Sequence, residues 1–82
     1  MKQQLWVNLN SIDKAKDFAD IASGVSCEVD VCSGRYVVDG KSLLGLFSLD
    51  LSAPVRVVVH GTEEECDKIT RLTRHLLAEK ED

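Results

Sequence analysis

Apolar and polar residues alternate from Gln4 to Leu9, with Leu5, Val7 and Leu9 on one side and Gln4, Trp6 and Asn8 on the other. Successive strand side chains point to opposite faces, so this spacing predicts a half-buried strand. The period then lengthens. Ala15, Phe18, Ala19 and Ala22 fall on one face of a helix, Ser11 is placed to N-cap it, and Gly24 is a plausible stop. Alternation returns from Ser26 to Cys32, with Cys27, Val29 and Val31 on one face. Ser33-Gly34 reads as a tight turn and Arg35 to Val38 as the returning strand of a hairpin. Ser42 to about Ser48 is a short helix, and Val55, Val57 and Val59 form the buried side of a fourth strand. Thr62-Glu-Glu-Glu65 fits a capping box. Cys66, Ile69, Leu72, Leu76 and Leu77 supply the apolar stripe of a last helix. The order is β-α-β-β-α-β-α. Strands with a single apolar face suit an antiparallel sheet carrying its helices on one side, an α+β class.

Eighty-two residues make one small domain, residues 1–82, with 44% apolar and 29% charged residues, the balance of a folded globular chain. A net charge of −4 argues against a broad nucleic-acid footprint. No apolar run is long enough to span a bilayer, and Met-Lys-Gln-Gln-Leu-Trp has no apolar signal segment. Three Cys, an odd number without secretory context, predict reduced thiols and a cytoplasmic protein. No cofactor is expected.

The densest segment is Asp39-Gly-Lys-Ser-Leu-Leu-Gly-Leu-Phe-Ser-Leu-Asp-Leu51, a Gly-Lys-Ser turn that opens a run of Leu and Phe and closes before Pro54. A helix of two turns cannot bury Leu43, Leu44, Leu46, Phe47 and Leu49 together. Core packing suits Leu46 and Leu49. Leu43, Leu44 and Phe47 are left as a compact exposed patch of the kind that marks an interface. Ser42 is a good N-cap for this helix.

This segment resembles the regulatory-serine region of HPr, the small phosphocarrier of the bacterial sugar phosphotransferase system, especially of the Gram-positive type. The resemblance extends over nearly the whole chain. It is strong around Lys41 to Leu51, moderate over the last strand and helix, and weak in the N-terminal half. It implies an open-faced two-layer sandwich, with a four-stranded antiparallel sheet of order 1-4-2-3 and three helices on one face. It also implies that Ser42 occupies the regulatory serine, a target of an HPr-kinase-like enzyme, and that Lys41, Leu43, Leu44 and Phe47 occupy the partner-docking patch. Phosphate at Ser42 would be favoured by the free N–H groups of the helix start and by the Lys41 cation.

A phosphocarrier of that family takes phosphate on a His at the start of its first helix, within a Gly-Leu-His-Thr-Arg-Pro-like motif. There, helix N–H groups and an Arg stabilise the phosphoryl dianion while imidazole is the nucleophile. Counting back from Ser42 without gaps puts Ser11 on the His position, Asp13 on the Arg position and Lys14 on the Pro position; the local sequence is Asn10-Ser-Ile-Asp-Lys14. A phosphoserine ester is too stable to pass phosphate on, and Asp13 repels the group that Arg attracts. An N-cap with a solvated first turn accounts for Ser11, Asp13 and Lys14. Lys14 and Lys16 beside Ser11 leave an anion contact open. His60 ends the fourth strand, at the sheet end opposite Ser11, and His75 lies in the last turns of the final helix. Both suit structural or solvated roles.

Two further patterns carry no chemistry. Gly40-Lys41-Ser42 ends like a phosphate-binding loop, but the preceding Gly34 is one residue too distant for that motif and the chain is too short for the nucleotide-binding domain. Cys27, Cys32, Cys66 and His60 lack zinc-site spacing, and Cys27 and Cys32 fall on opposite faces of one strand; no metal site is expected. Cys27 and Cys66 read as small buried hydrophobes. Trp6 stands on the polar face of the first strand, either paired across to Val58 or free to contact a partner or a second copy.

These readings predict a non-enzymatic HPr-like regulatory or protein-binding module, degenerate at the phosphohistidine position and Crh-like in that respect. Its expected partners are proteins: an HPr-kinase-like enzyme, phosphotransferase-system components or a transcriptional regulator. Its expected state is a monomer or weak dimer. The alternatives are a divergent phosphocarrier and an interaction domain unconnected with sugar uptake.

Overall fold

The structure is a computed structural model that describes residues 2–78. Its elements run β1 (Lys2–Val7), α1 (Ile12–Ala22), β2 (Glu28–Ser33), β3 (Tyr36–Asp39), α2 (Leu43–Phe47), β4 (Val55–His60) and α3 (Glu63–Leu72), followed by a 3-10 turn at Arg74–Leu76. The strands form one sheet of order β1-β4-β2-β3, antiparallel throughout. With its three helices on one face, this is the expected α+β open-faced sandwich.

Alternation decides what is buried. Leu5, Val7, Val29, Val31, Val55, Val57 and Val59 line the helix-covered face of the sheet. Ala15, Phe18, Ala19 and Ala22 descend from α1 onto it, Leu46 from α2, and Cys66 and Ile69 from α3. The three alanines let α1 approach closely enough for Phe18 to be fully buried. The β2–β3 hairpin closes through Gly34-Arg35, with Ser33 paired to Tyr36. Gly34 has φ +59°, a conformation that costs glycine little. At Gly61 the packing leaves no room for a side chain: an added Cβ would lie 2.7 Å from Cys27 Sγ and 2.7 Å from Glu65 Oε1.

All three helix starts are capped as the sequence predicts. Ser11 Oγ accepts from Lys14 N (3.1 Å), Ser42 Oγ from Gly45 N (3.1 Å) and Thr62 Oγ1 from Glu65 N (3.1 Å). Glu65 completes the capping box by accepting from Thr62 N at 3.0 Å.

Four expectations need correction. The first strand ends at Val7 rather than Leu9, because Asn8 N leaves the ladder to donate to Leu76 O at 2.8 Å; Leu9 is buried nevertheless. Trp6 pairs with Arg56, and Val58 pairs with Gln4, so Trp6 and Val58 are diagonal neighbours rather than a direct pair. Cys66 is fully buried as expected, but Cys27 is only half-buried. The largest correction is in the last helix. Leu72 is 40% exposed and Leu77 41% exposed, while Thr73 is fully buried. The buried stripe runs Cys66, Ile69, Thr73, Leu76. Thr73 fits because its hydroxyl donates to Ile69 O at 2.7 Å, meeting its polar demand within the helix end.

Candidate functional site

Two helix starts carry the candidate residues. At α1, the Ser11 hydroxyl is occupied as a cap acceptor, and the Lys14 ammonium donates to Asn10 Oδ1 at 3.1 Å. Asp13 and Lys16 are exposed on the first turns. The first turn of α1 is thus capped and solvated. No imidazole stands beside Ser11 in the chain sequence. His60 pairs with Lys2 across β1–β4, at the far end of β1 from Ser11, and its Nε2 lies 2.9 Å from Asp30 Oδ2. His75 sits in the 3-10 turn rather than inside the last helix, and its Nε2 is hydrogen-bonded to Asp17 Oδ2 on α1. The Asp17–His75 pairing has no sequence signal, since 58 positions separate the two residues.

At α2, Asp39 builds the approach: its Oδ1 accepts from Lys41 N at 2.9 Å and its carbonyl from Ser42 N at 3.0 Å. Ser42 is exposed, with its Oγ held by the cap bond. Lys41 differs from its expected role. Its ammonium donates to Val25 O at 2.7 Å, tying the α1–β2 connection to the start of α2, instead of standing free beside Ser42.

The apolar run of α2 divides nearly as predicted. Leu46 and Leu49 are buried, while Leu44 is 83% and Phe47 44% exposed. Leu43 is the exception: it is half-buried and packs against the core. Phe47 does not stand alone. With Leu9, Asn10, Ser11, Ile12, Leu51 and Ser52 it lines one shallow groove, so the start of α1 and the end of α2 share a surface. Ile12, which sequence reasoning passed over, is 67% exposed there. It lies three residues before Ala15, so helical spacing alone assigns it to the buried stripe. As the first residue of α1, it stands N-terminal to the packed turns. Leu51, also missed, is half-buried in a turn where Asp50 Oδ1 accepts from Ser52 N at 3.1 Å and from Ser52 Oγ at 2.6 Å. The Ser52 hydroxyl first, and then the Ser52 N–H, hold the Asp50 carboxyl below its ordinary range.

Burial first, and then the Glu65 carboxylate, push the Cys27 thiol up, the opposite of what a nucleophilic thiolate needs. Among the described residues, no three metal-ligating side chains converge, and no helix is long and apolar enough to cross a membrane.

No family model and no curated protein matches the chain. Solved structures do. The chain is similar to HPr-C-His from Thermoanaerobacter tengcongensis, at 23% identity and a TM-score of 0.69, over 90% of this chain and 91% of that one. It is similar to the histidine-containing phosphocarrier protein of a Mycoplasma at 14% identity and a TM-score of 0.69, over 94% and 98% of the two chains. It is similar to the phosphocarrier protein HPr from Bacillus anthracis at 16% identity and a TM-score of 0.71, over 93% and 95%. The fold is that of HPr.

Proposed function

We propose that this chain is an HPr-like protein related to the sugar phosphotransferase system that has given up phosphotransfer and works as a regulatory or protein-binding module through α2. The observation that carries the reading is the groove where Phe47 meets Ile12 and Leu51 beside Ser11, with Leu44 standing out from the same short helix. Exposed leucine and phenylalanine side chains gain free energy when a partner covers them, and they leave no cavity in the free protein when they are changed. The partner is a protein: an HPr-kinase-like enzyme, a phosphotransferase-system component or a transcriptional regulator. Lys41 and the half-buried Leu43 form the inner margin of its footprint. Ser42 is the regulatory phosphorylation candidate. Its exposure gives a kinase access, and the added dianion would stand beside the apolar surface, repelling an apolar partner or recruiting one with an Arg cluster. Ser11, Lys14 and Lys16 remain available for an anion contact. No catalytic residue and no cofactor are assigned, and the place of action is the cytoplasm.

Incubation with phosphotransferase enzyme I and phosphoenolpyruvate tests the loss of phosphotransfer. The expected outcome is no acid-labile phosphate, because Ser11, Asp13 and Lys14 replace a nucleophile, a cation and a helix-starting residue. Stoichiometric acid-labile labelling of His60 or His75 would establish the divergent phosphocarrier instead. The docking reading is tested separately, by titrating HPr kinase against the wild type and Phe47→Ser. Binding that survives the substitution unchanged removes Phe47 from the footprint.

A further inference from the structure

The sheet has a second face that no element among the described residues covers. Its side chains alternate with the buried ones, so the register places them in levels across the strands. Gln4, Val58, Asp30 and Asp39 form one level, and Trp6, Arg56, Cys32 and Val37 the next. Trp6 is 36% and Val37 61% exposed on this face, at its opposite edges. Val58 and Cys32 lie between them, nearly shielded by their neighbours. Charge is divided across the same face. Lys2 and Arg56 belong to β1 and β4, whereas Glu28, Asp30 and Asp39 belong to β2 and β3; His60 on β4 is hydrogen-bonded to Asp30 within the face. Half of the face carries the cations and half the carboxylates.

We propose that this face pairs with the same face of a second copy of the chain, in a symmetric dimer whose two-fold axis runs parallel to the strands. That axis exchanges the two edges and keeps each level. β1 then lies over the second copy's β3, and β4 over its β2. Trp6 meets the second copy's Val37, and Arg56 and Lys2 come over its carboxylate half. Every such contact is made twice, as an isologous interface requires. A two-fold axis in the plane but across the strands sets each half on itself, cation on cation and carboxylate on carboxylate, so the charge division selects one arrangement. Sheets that stack face to face cross at about 30°, which leaves this matching in place.

The size of the face sets the strength. Four strands about 4.8 Å apart and six residues at about 3.3 Å each give a footprint of roughly 400 Å² per copy. Allowing for side-chain relief, the accessible surface removed is roughly 1,000 Å² in total, at the lower limit of specific interfaces. An interface at that limit is weak, and salt weakens it further. It leaves α1 and α2 on the outer side of each copy, so it stands whether or not the groove at Phe47 binds a partner.

The test is a concentration series of the full chain by sedimentation velocity, from about 10 µM to about 1 mM, which brackets an interface of this size. Trp6 is the single tryptophan, so its emission reports this face alone. The expected result is a monomer–dimer equilibrium with a blue shift of Trp6 emission that follows the dimer fraction. Val37→Asp should weaken dimerisation at least about tenfold, since it sets a carboxylate against the second copy's Trp6. Its thermal melt should match the wild type, because Val37 is exposed on an edge strand. Lys2→Glu and Glu28→Lys should each weaken self-association, and mixing the two should restore it. A monomer at every concentration overturns the proposal. So does a dimer with unshifted Trp6 emission, or one that Val37→Asp and the charge exchange leave unchanged, since each places the contact elsewhere.

Discussion

The segment around α2 and the segment around α3 each carry five residues of an apolar run, and the chain treats them differently. In the first, Leu46 and Leu49 go in, Leu43 goes halfway, and Leu44 and Phe47 stay out. In the second, Cys66, Ile69 and Leu76 go in while Leu72 and Leu77 stay out. Of the surplus at α2, Phe47 lines one groove with Ile12 and Leu51, while Leu44 stands out from the same helix. The surplus at α3 stands among Arg71, Arg74 and His75 along the chain. An exposed leucine is ordinary on a protein surface, and it becomes informative when it has apolar company. By that measure Phe47, which shares a groove with Ile12 and Leu51, is the most informative of these exposed side chains.

The comparison is broken most forcefully from the inside. Leu46→Ala and Ile69→Ala remove fully buried side chains, and each should cost roughly 2–5 kcal/mol in urea unfolding, a large share of so small a domain's stability. Leu72→Ala is the control. With Leu72 40% exposed, its loss should be well under half that of Ile69→Ala, about 1 kcal/mol or less. Equal losses for Ile69 and Leu72 would restore the stripe that helical spacing predicts.

The reason spacing failed at Leu72 is visible in Thr73. A helix face recurs at three or four residues, so both Leu72 and Thr73 satisfy the period after Ile69, and hydrophobicity favours the leucine. The choice is made by the helix end. Beyond Leu72 the chain tightens into the 3-10 turn, and Thr73 donates both its N–H (2.9 Å) and its hydroxyl (2.7 Å) to Ile69 O. A buried threonine whose hydroxyl is satisfied locally leaves no mark in a hydropathy pattern. The sheet was more legible, because alternation in Leu5-Val7, Val29-Val31 and Val55-Val57-Val59 has one reading and each strand has a covered face. The caps at Ser11, Ser42 and Thr62 were legible because they are local. The groove was only half legible: Phe47 announced itself as surplus and Leu51 lies within the same run, whereas Ile12 reaches the groove through a contact between α1 and α2 that no sequence window spans. Thr73→Val keeps the shape and removes the hydroxyl, so it should cost about 1 kcal/mol. A stabilised variant would show that packing alone places residue 73.

Acid should loosen the start of α3, because its cap includes a carboxylate. The Glu65 carboxyl is held below its ordinary range, first by the Thr62 backbone N–H and then by the Ser26 hydroxyl at 3.0 Å. Its folded-state pKa is therefore lower than its unfolded one. The stability it contributes is complete above the unfolded value, about 4.3, and is lost as pH falls through the folded value. The melting temperature of the wild type should fall as pH is lowered from about 6 toward 3, and Glu65→Gln, which cannot ionise, should show a smaller fall. Equal acid slopes would remove Glu65 from the linkage. The α2 cap is a serine hydroxyl, which does not titrate in this window, so Ser42→Ala should shift the melt without changing its acid slope.

The smallest effect on stability falls where the largest effect on binding is expected. Leu44 is 83% exposed, so Leu44→Ser removes almost no buried surface and should leave the unfolding free energy within about 0.5 kcal/mol of wild type. Phe47 is 44% exposed and shares the groove with Ile12 and Leu51, so Phe47→Ser should cost more than Leu44→Ser and much less than Leu46→Ala. If α2 presents a docking surface, both outward substitutions weaken a protein partner, and an anchoring side chain lost from an interface centre costs about 2 kcal/mol or more of binding. Leu72→Ser, equally apolar to polar and comparably exposed, serves as the matched control on α3. Three titrations of one purified partner, with three melts alongside, separate the possibilities. Weaker binding for Leu44→Ser and Phe47→Ser, unchanged binding for Leu72→Ser and intact melts place the footprint on α2. A collapsed melt for Phe47→Ser would assign that ring to the core, and equal weakening by Leu72→Ser would mean that the partner reads exposed hydrophobicity wherever it occurs rather than the surface built by α1 and α2.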